Sequence, residues 1–82
     1  MQMSYLLIQT DPGAEHVVGE ELLKHESIKN VNMLYGKFDL IAKVKAKDMI
    51  ELHERIMADI QGIDGVQRVR SLIVNHAASL LT

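Results

Sequence analysis

The chain has 82 residues, 48% of them hydrophobic, and its 9 Lys and Arg against 11 Asp and Glu give a formal net charge of −2. That size and composition predict a single globular domain, residues 1–82, with a core at 4–75 and a C-terminal tail at 76–82. The chain has no cysteine, which excludes disulfides and thiolate metal sites and fits a reducing compartment.

The distribution of charged and apolar residues disfavours other classes of protein. Basic and acidic residues are interspersed along the sequence, so direct binding to the phosphates of a nucleic acid is not expected. No apolar run reaches the roughly 18 residues of a membrane helix, and the N-terminus lacks the basic start of a signal peptide. We therefore expect a cytoplasmic protein with neither a membrane nor a nucleic-acid partner.

The first predicted strand covers residues 3–10 and carries apolar side chains on both faces, which is typical of a central strand covered on two sides. A helix is expected to follow, from about Pro12 to His25. Asp11 can act as its N-cap, and proline suits the first helical position.

Two further strands, Ile28 to Tyr35 and Phe38 to Lys45, are predicted to form a hairpin that turns at Gly36-Lys37. Glycine suits a tight turn because it adopts positive φ without steric cost. Asp39, just inside the second of these strands, is unexpected, since aspartate is depleted in strands. It indicates either a solvated strand end or a binding position.

The second helix is expected to start near Asp48, whose spacing to Glu51 resembles a capping box, and to stop at Gly62. Its apolar stripe comprises Met49, Leu52, Ile56 and Ile60. A fourth strand is predicted from Val66 to Asn75.

This order of elements predicts an α+β, ferredoxin-like βαββαβ fold, in which two helices cover one face of a four-stranded antiparallel sheet. The opposite face would expose more apolar area than a soluble monomer usually tolerates. We therefore expect the chain to dimerise through the open sheet face, most simply with two-fold symmetry.

No catalytic chemistry emerges from the residue pattern. The four histidines, at positions 16, 25, 53 and 76, have no metal-ligand spacing, and no serine lies in a nucleophile motif. The glycines form no phosphate-binding loop. The sequence therefore predicts no catalytic residue, no metal site and no cofactor.

Three segments give the chain, from about Ser4 to Asn75, a resemblance to a known family. They are the opening YLLIQTDPG, the hairpin tyrosine-glycine-any-aromatic-aspartate at positions 35–39 followed by LIAKV, and the closing GVQRVRSLIV. In their order and separation they resemble the ligand-binding half of the Lrp/AsnC (feast/famine) regulators, also called the RAM domain.

The resemblance implies a site for a free amino acid or a similar metabolite, in a cleft between neighbouring dimers that this hairpin lines. Gly36 would leave backbone N–H groups free for the α-carboxylate, and Asp39 would accept from the ammonium group. The implied ligand-binding residues are Tyr35, Gly36, Lys37, Phe38, Asp39 and Ser71, the last from an adjoining subunit. Alternatively, Gly36 only makes the turn and Asp39 only caps the hairpin.

The family regulators carry a helix-turn-helix domain before this one, whereas here Met1 lies almost at the first strand, so the chain resembles the stand-alone form. The implied function is amino-acid effector binding and oligomerisation, as an octamer of four dimers, that modulates transcription of amino-acid metabolism indirectly through full-length Lrp/AsnC regulators. The alternatives are a ligand-independent assembly adaptor and a small cofactor-independent enzyme, which would show an enclosed pocket within one subunit.

Overall fold

The computed structural model describes residues 2–72 and has the element order strand, helix, strand, strand, helix, strand. The strands are β1 (Gln2–Thr10), β2 (Ile28–Met33), β3 (Leu40–Ala46) and β4 (Val66–Leu72). The first helix is Glu15–Leu23, and the second helix comprises the α-helical segments Met49–Glu51 and Met57–Gln61, joined by a π-helical turn, Leu52–Ile56. This is the predicted ferredoxin-like α+β arrangement.

The strands form one antiparallel sheet in the order β2-β3-β1-β4. Side chains along a strand point alternately to the two faces of the sheet. On one face of β1 and β3, Leu6, Ile8 and Val44 are fully buried, and Leu40 is nearly so. These residues belong to one cluster with the helices, so both helices cover the same face of the sheet.

The helices contribute the other half of that core. Val18 and Leu22 of the first helix and Leu52, Ile56 and Ile60 of the second helix are all fully buried. Burying one such side chain contributes about 1.5–3 kcal/mol relative to leaving it exposed. The predicted stripe of the second helix is therefore confirmed, with Met49 packed at the edge of the cluster.

The open face of the sheet has an apolar centre and charged flanks. Tyr5, Leu7 and Ile41 lie at the centre on adjacent strands and are partly exposed in the single chain. By strand alternation, four basic residues share this face: Lys43, Lys45, Arg68 and Arg70. The face is thus apolar at its centre, as the sequence predicted, but it also collects cations that the sequence analysis treated as dispersed.

The first helix begins three residues later than predicted, at Glu15. Gly13 has φ 83°, so the Pro12-Gly13 segment is a turn and cannot continue into a helix. The predicted cap by Asp11 is wrong: its Oδ1 accepts from Gln67 Nε2 at 2.8 Å, and the helix has no side-chain N-cap.

The loop that connects β2 and β3 is longer than predicted. β2 ends at Met33 and β3 begins at Leu40, and the Leu34 N–H donates to the Asp39 carbonyl at 2.8 Å, which closes a six-residue loop instead of a tight turn. The fourth strand agrees with the prediction up to Leu72. Its predicted continuation and the tail at 76–82 lie outside the described residues.

The second helix begins where the sequence predicted. Asp48 Oδ1 accepts from the Glu51 N–H at 2.8 Å, and Glu51 Oε1 accepts from the Lys47 N–H at 3.1 Å, so two otherwise unpaired backbone donors are satisfied. The π-helical turn in its middle was not predicted, since no proline or glycine in that segment marks it.

Candidate functional site

The loop of residues 34–39 connects the edge strand β2 to the central strand β3. Gly36 has φ 135°, in the region that residues with a Cβ atom rarely adopt, although a Cβ there would meet no atom within 4 Å. The backbone conformation, and not crowding, therefore requires glycine at this position.

Asp39 is tied to the neighbouring central strand at two points. Its N–H donates to the Ile8 carbonyl at 2.9 Å, and its Oδ2 accepts from the Thr10 N–H at 2.8 Å. The carboxylate thus satisfies a backbone donor at the end of β1, which accounts structurally for an aspartate beside the strand. The other oxygen, Oδ1, makes no hydrogen bond within residues 2–72.

The rest of the loop offers unused donors. Within the described part of the chain, the backbone N–H groups of Tyr35, Gly36 and Lys37 donate no hydrogen bond. Tyr35 and Lys37 are exposed and Phe38 is half-buried. Free N–H donors and a free carboxylate oxygen in one loop are the groups that complement a zwitterion, whose carboxylate accepts and whose ammonium donates.

Ser71 does not join this loop within one chain. It lies on β4 opposite Leu6 and faces the helices, whereas Asp39 immediately precedes β3 and lies beside Ile8. Two strand spacings and two residues along the strand separate them by roughly 12 Å. A site that contains both residues would need Ser71 from a second chain.

Both ring nitrogens of His25 take part in hydrogen bonds. His25 Nδ1 accepts from the Ser27 N–H at 3.1 Å, so in the neutral ring Nε2 carries the proton and donates to Asp59 Oδ2 at 2.9 Å. Neither ring nitrogen is free to act as a base. Residues 2–72 contain no group of three metal-ligating side chains.

Thr10 was not among the predicted site residues. It is 29 positions from Asp39, and only the register of β1 against β3 brings the two together. The Thr10 hydroxyl is buried and has no partner in the described part of the chain. No local pattern marks a residue whose contribution is a backbone N–H.

A comparison with protein-family models shows which family the chain belongs to. The model of the family described as the Lrp/AsnC ligand binding domain matches residues 4–78. The chain belongs to this family. A comparison with curated protein sequences found no match.

Solved structures share the fold over nearly the whole chain. FFRP-DM1 is 29% identical with a TM-score of 0.83, covering 92% of this chain and 100% of its own. TTHA0845 from Thermus thermophilus is 26% identical with a TM-score of 0.84, covering 98% and 100%. The transcriptional regulator NMB0573 from Neisseria meningitidis, solved as an L-Met complex, is 16% identical with a TM-score of 0.81, covering 99% and 54%, and shows the fold alone.

Membership of this Lrp/AsnC family makes the chain a small-molecule-binding module of regulatory type. Among the described residues, no helix is long and apolar enough to cross a membrane.

Proposed function

We propose that the chain binds a free amino acid, or a metabolite with the same zwitterionic group, at the loop of residues 34–39. One observation carries this proposal: the same loop contains unused backbone N–H donors, at Tyr35, Gly36 and Lys37, and an unused acceptor, Oδ1 of Asp39. The α-carboxylate would accept from the amides, and the ammonium would donate to Asp39. Phe38 and the side chains of Tyr35 and Lys37 would shape the pocket.

The site is completed by a second chain in this proposal. Ser71 of an adjoining subunit would supply a hydroxyl, and the chain would assemble through the open sheet face into two-fold dimers and then into an octamer of four dimers. The apolar centre of the open face, formed by Tyr5, Leu7 and Ile41, supports the first of these steps. A single exposed sheet face of this kind is stabilised by burial against a partner.

Ligand and assembly are linked in this mechanism. A ligand held between dimers stabilises one assembly over another by its differential affinity for the two. The chain would therefore act without catalysis in the cytoplasm, and it would modulate transcription of amino-acid metabolism through full-length Lrp/AsnC regulators.

An assembly adaptor without a ligand is the second candidate, and a specific contact favours it. The bond from the Thr10 N–H to Asp39 Oδ2 gives the carboxylate a structural task that needs no ligand. A test must therefore separate the charge of Asp39 from its hydrogen bond to Thr10.

The Asp39→Asn variant makes this separation, because an amide oxygen can still accept from the Thr10 N–H but carries no charge. We expect thermal unfolding close to that of the unmodified chain, together with a loss of at least about tenfold in affinity, equivalent to about 1.4 kcal/mol, for any amino acid that binds. Calorimetric titration with each of the twenty amino acids gives the affinity. Asp64→Asn, at an exposed carboxylate in another loop, is the matched control.

Asp39→Ala removes both the charge and the acceptor. We expect it to lower the free energy of unfolding by about 1–3 kcal/mol, because the Thr10 N–H is left without a partner. If no amino acid binds the unmodified chain and only Asp39→Ala changes stability, the ligand-independent adaptor replaces amino-acid binding as the proposed function.

A further inference from the structure

A groove separates the first helix from the edge strand β2, on the opposite side of the sheet from the open face. It encloses about 200 Å³. Its apolar lining includes Val31 and Leu40, together with the two exposed side chains Leu23, 57% exposed, and Met33, 52% exposed. Large apolar side chains that converge on a depression while remaining exposed are typical of a surface with an occupant.

Gly19 keeps this groove open. It lies inside the first helix with ordinary helical φ, and a Cβ atom built on it would meet only Val31 Cγ1, at 3.9 Å. Glycine in a helix interior costs about 1 kcal/mol relative to alanine. Neither the backbone nor the packing of the described residues requires glycine here. The effect of Gly19 is that no side chain projects from position 19 to fill the groove.

The rim of the groove is acidic. Glu15 and Glu20 line it, and neither carboxylate makes a hydrogen bond or ion pair within residues 2–72. The nearby Lys24 is bound to Glu21 at 2.8 Å, and this hydrogen bond raises the pKa of Lys24. The groove therefore presents an apolar floor beside His16 and two carboxylates that form no ion pair within the described residues, although the charge of Glu20 also contributes to the raised pKa of Lys24.

The size of the groove decides between two kinds of occupant. Pockets for small molecules usually enclose about 300–1,000 Å³, so 200 Å³ is small for a metabolite and suits one or two side chains. The occupant should have an apolar body, to cover Leu23 and Met33, and a cation beside it, to face Glu15 and Glu20.

The tip of the β2–β3 loop has both properties. The Tyr35 side chain is completely exposed, Leu34 is 37% exposed, and Lys37 is exposed without a partner in the described part of the chain. An aromatic side chain buries 150–250 Å² when it is covered, which makes Tyr35 a strong anchor for an interface.

We propose that Tyr35 of one copy of this chain docks in the groove beside Gly19 of a second copy, with Lys37 facing Glu15 and Glu20. This contact lies apart from the open sheet face, so it joins dimers into a larger assembly. It rests on the self-assembly in the proposed function. The contact also couples ligand binding to assembly, because Tyr35 and Lys37 belong to the loop whose amides would bind the ligand.

Two variants remove the two halves of the contact. Gly19→Met fills the groove without backbone strain, and Tyr35→Ser removes the aromatic side chain. We expect each variant to reduce the light-scattering mass, without added ligand, from that of a larger assembly to that of two 9.2 kDa chains. Thermal melting should show that both remain folded.

The controls place equivalent changes elsewhere on the surface. Ala58→Met adds the same side chain at an exposed position of the second helix, and Ile50→Ser removes a large apolar side chain that is 67% exposed. Neither position lines the groove or the loop, so we expect the mass of the unmodified chain in both cases.

Mixing the two variants gives the sharpest result. Gly19→Met retains its tyrosine and Tyr35→Ser retains its groove, so we expect the mixture to form complexes larger than either variant forms alone. The proposal is overturned if the unmodified chain is only a dimer, if either variant keeps the full mass, or if the mixture stays at the mass of its components. A dimer that still binds an amino acid would keep the loop as a ligand site and exclude only its position between dimers, so the two failures are distinguishable.

Discussion

At Gly65 the loop before β4 packs closely against residues 14 and 18 of the first helix and its N-cap. Gly65 has φ 96°, and a Cβ atom built on it would lie 3.0 Å from Val18 Cγ2 and 3.3 Å from Ala14 Cβ. Its carbonyl also accepts from the Asp11 N–H at 2.8 Å. Backbone conformation and packing therefore both require glycine at this position.

The two requirements can be separated by comparing substitutions at Gly65 and at Gly13. Gly13 has φ 83° but open space around its Cβ position. We expect Gly13→Ala to cost about 1–2 kcal/mol, from the left-handed conformation alone. Gly65→Ala should cost about 1–3 kcal/mol more, because Val18 must also shift. Urea unfolding of both variants measures the difference, and equal costs would contradict the close packing.

The second helix shows how local sequence determines the start of an element but not its interior. Asp48 and Glu51 satisfy backbone donors around the first turn, and both residues lie within four positions of their partners. The π-helical turn, Leu52–Ile56, comes directly afterwards. Leu52 and Ile56 at its two ends are both fully buried, so the turn lies against the core.

Asp48→Ala should destabilise the chain by about 1 kcal/mol, because the Glu51 N–H loses its side-chain acceptor. Asp64→Ala, at an exposed carboxylate without a hydrogen bond in the described part of the chain, should change the free energy of unfolding by less than about 0.5 kcal/mol. Chemical denaturation measures both. A cost as small for Asp48 as for Asp64 would show that the cap contributes nothing to stability.

At the scale of the whole molecule, the fold separates charges that are mixed along the chain. The open face carries Lys43, Lys45, Arg68 and Arg70. Asp39, at the edge of this face, is bound to the Thr10 N–H. The acidic side chains Glu15, Glu20 and Glu21 lie on the first helix, which covers the opposite face. A chain of net charge −2 therefore presents a cationic sheet face with an apolar centre.

Leu7→Glu should abolish association through this face, because it places a charge at the apolar centre beside Ile41. Ile50→Glu, at an exposed apolar side chain of the second helix, is the matched control and should leave the mass unchanged. Sedimentation equilibrium measures both. A Leu7→Glu variant that associates as strongly as the unmodified chain would place the dimer contact on another surface.

Added salt should strengthen the dimer of the unmodified chain. Two-fold packing brings two cationic faces together, and salt screens their repulsion, since the Debye length falls to about 10 Å at 0.1 M. The dissociation constant should therefore fall between about 0.02 and 0.3 M NaCl, over which the Debye length shortens severalfold. A dissociation constant that rises instead would mean that ion pairs between the copies outweigh the repulsion.

Much of the fold could be predicted from the sequence because its signals are local. The continuous apolar run of β1, the stripe of Leu52, Ile56 and Ile60, and the Asp48 cap each depend on residues a few positions apart. The three segments that resemble the Lrp/AsnC domain were sufficient to identify the family, since their order and separation span the chain. The errors, at Asp11 and at the hairpin, are boundary errors where a turn competes with a regular element.

The candidate site could be predicted only in part. Local patterns in the sequence were sufficient to predict the order of elements, the residues of the core and a loop that contains Gly36 and Asp39. Tertiary structure decided that Asp39 binds Thr10, that four cations share one face and that Gly19 faces an apolar groove. These features depend on strand register and on the packing of a helix against a sheet, which join residues distant in sequence, and no local pattern encodes them.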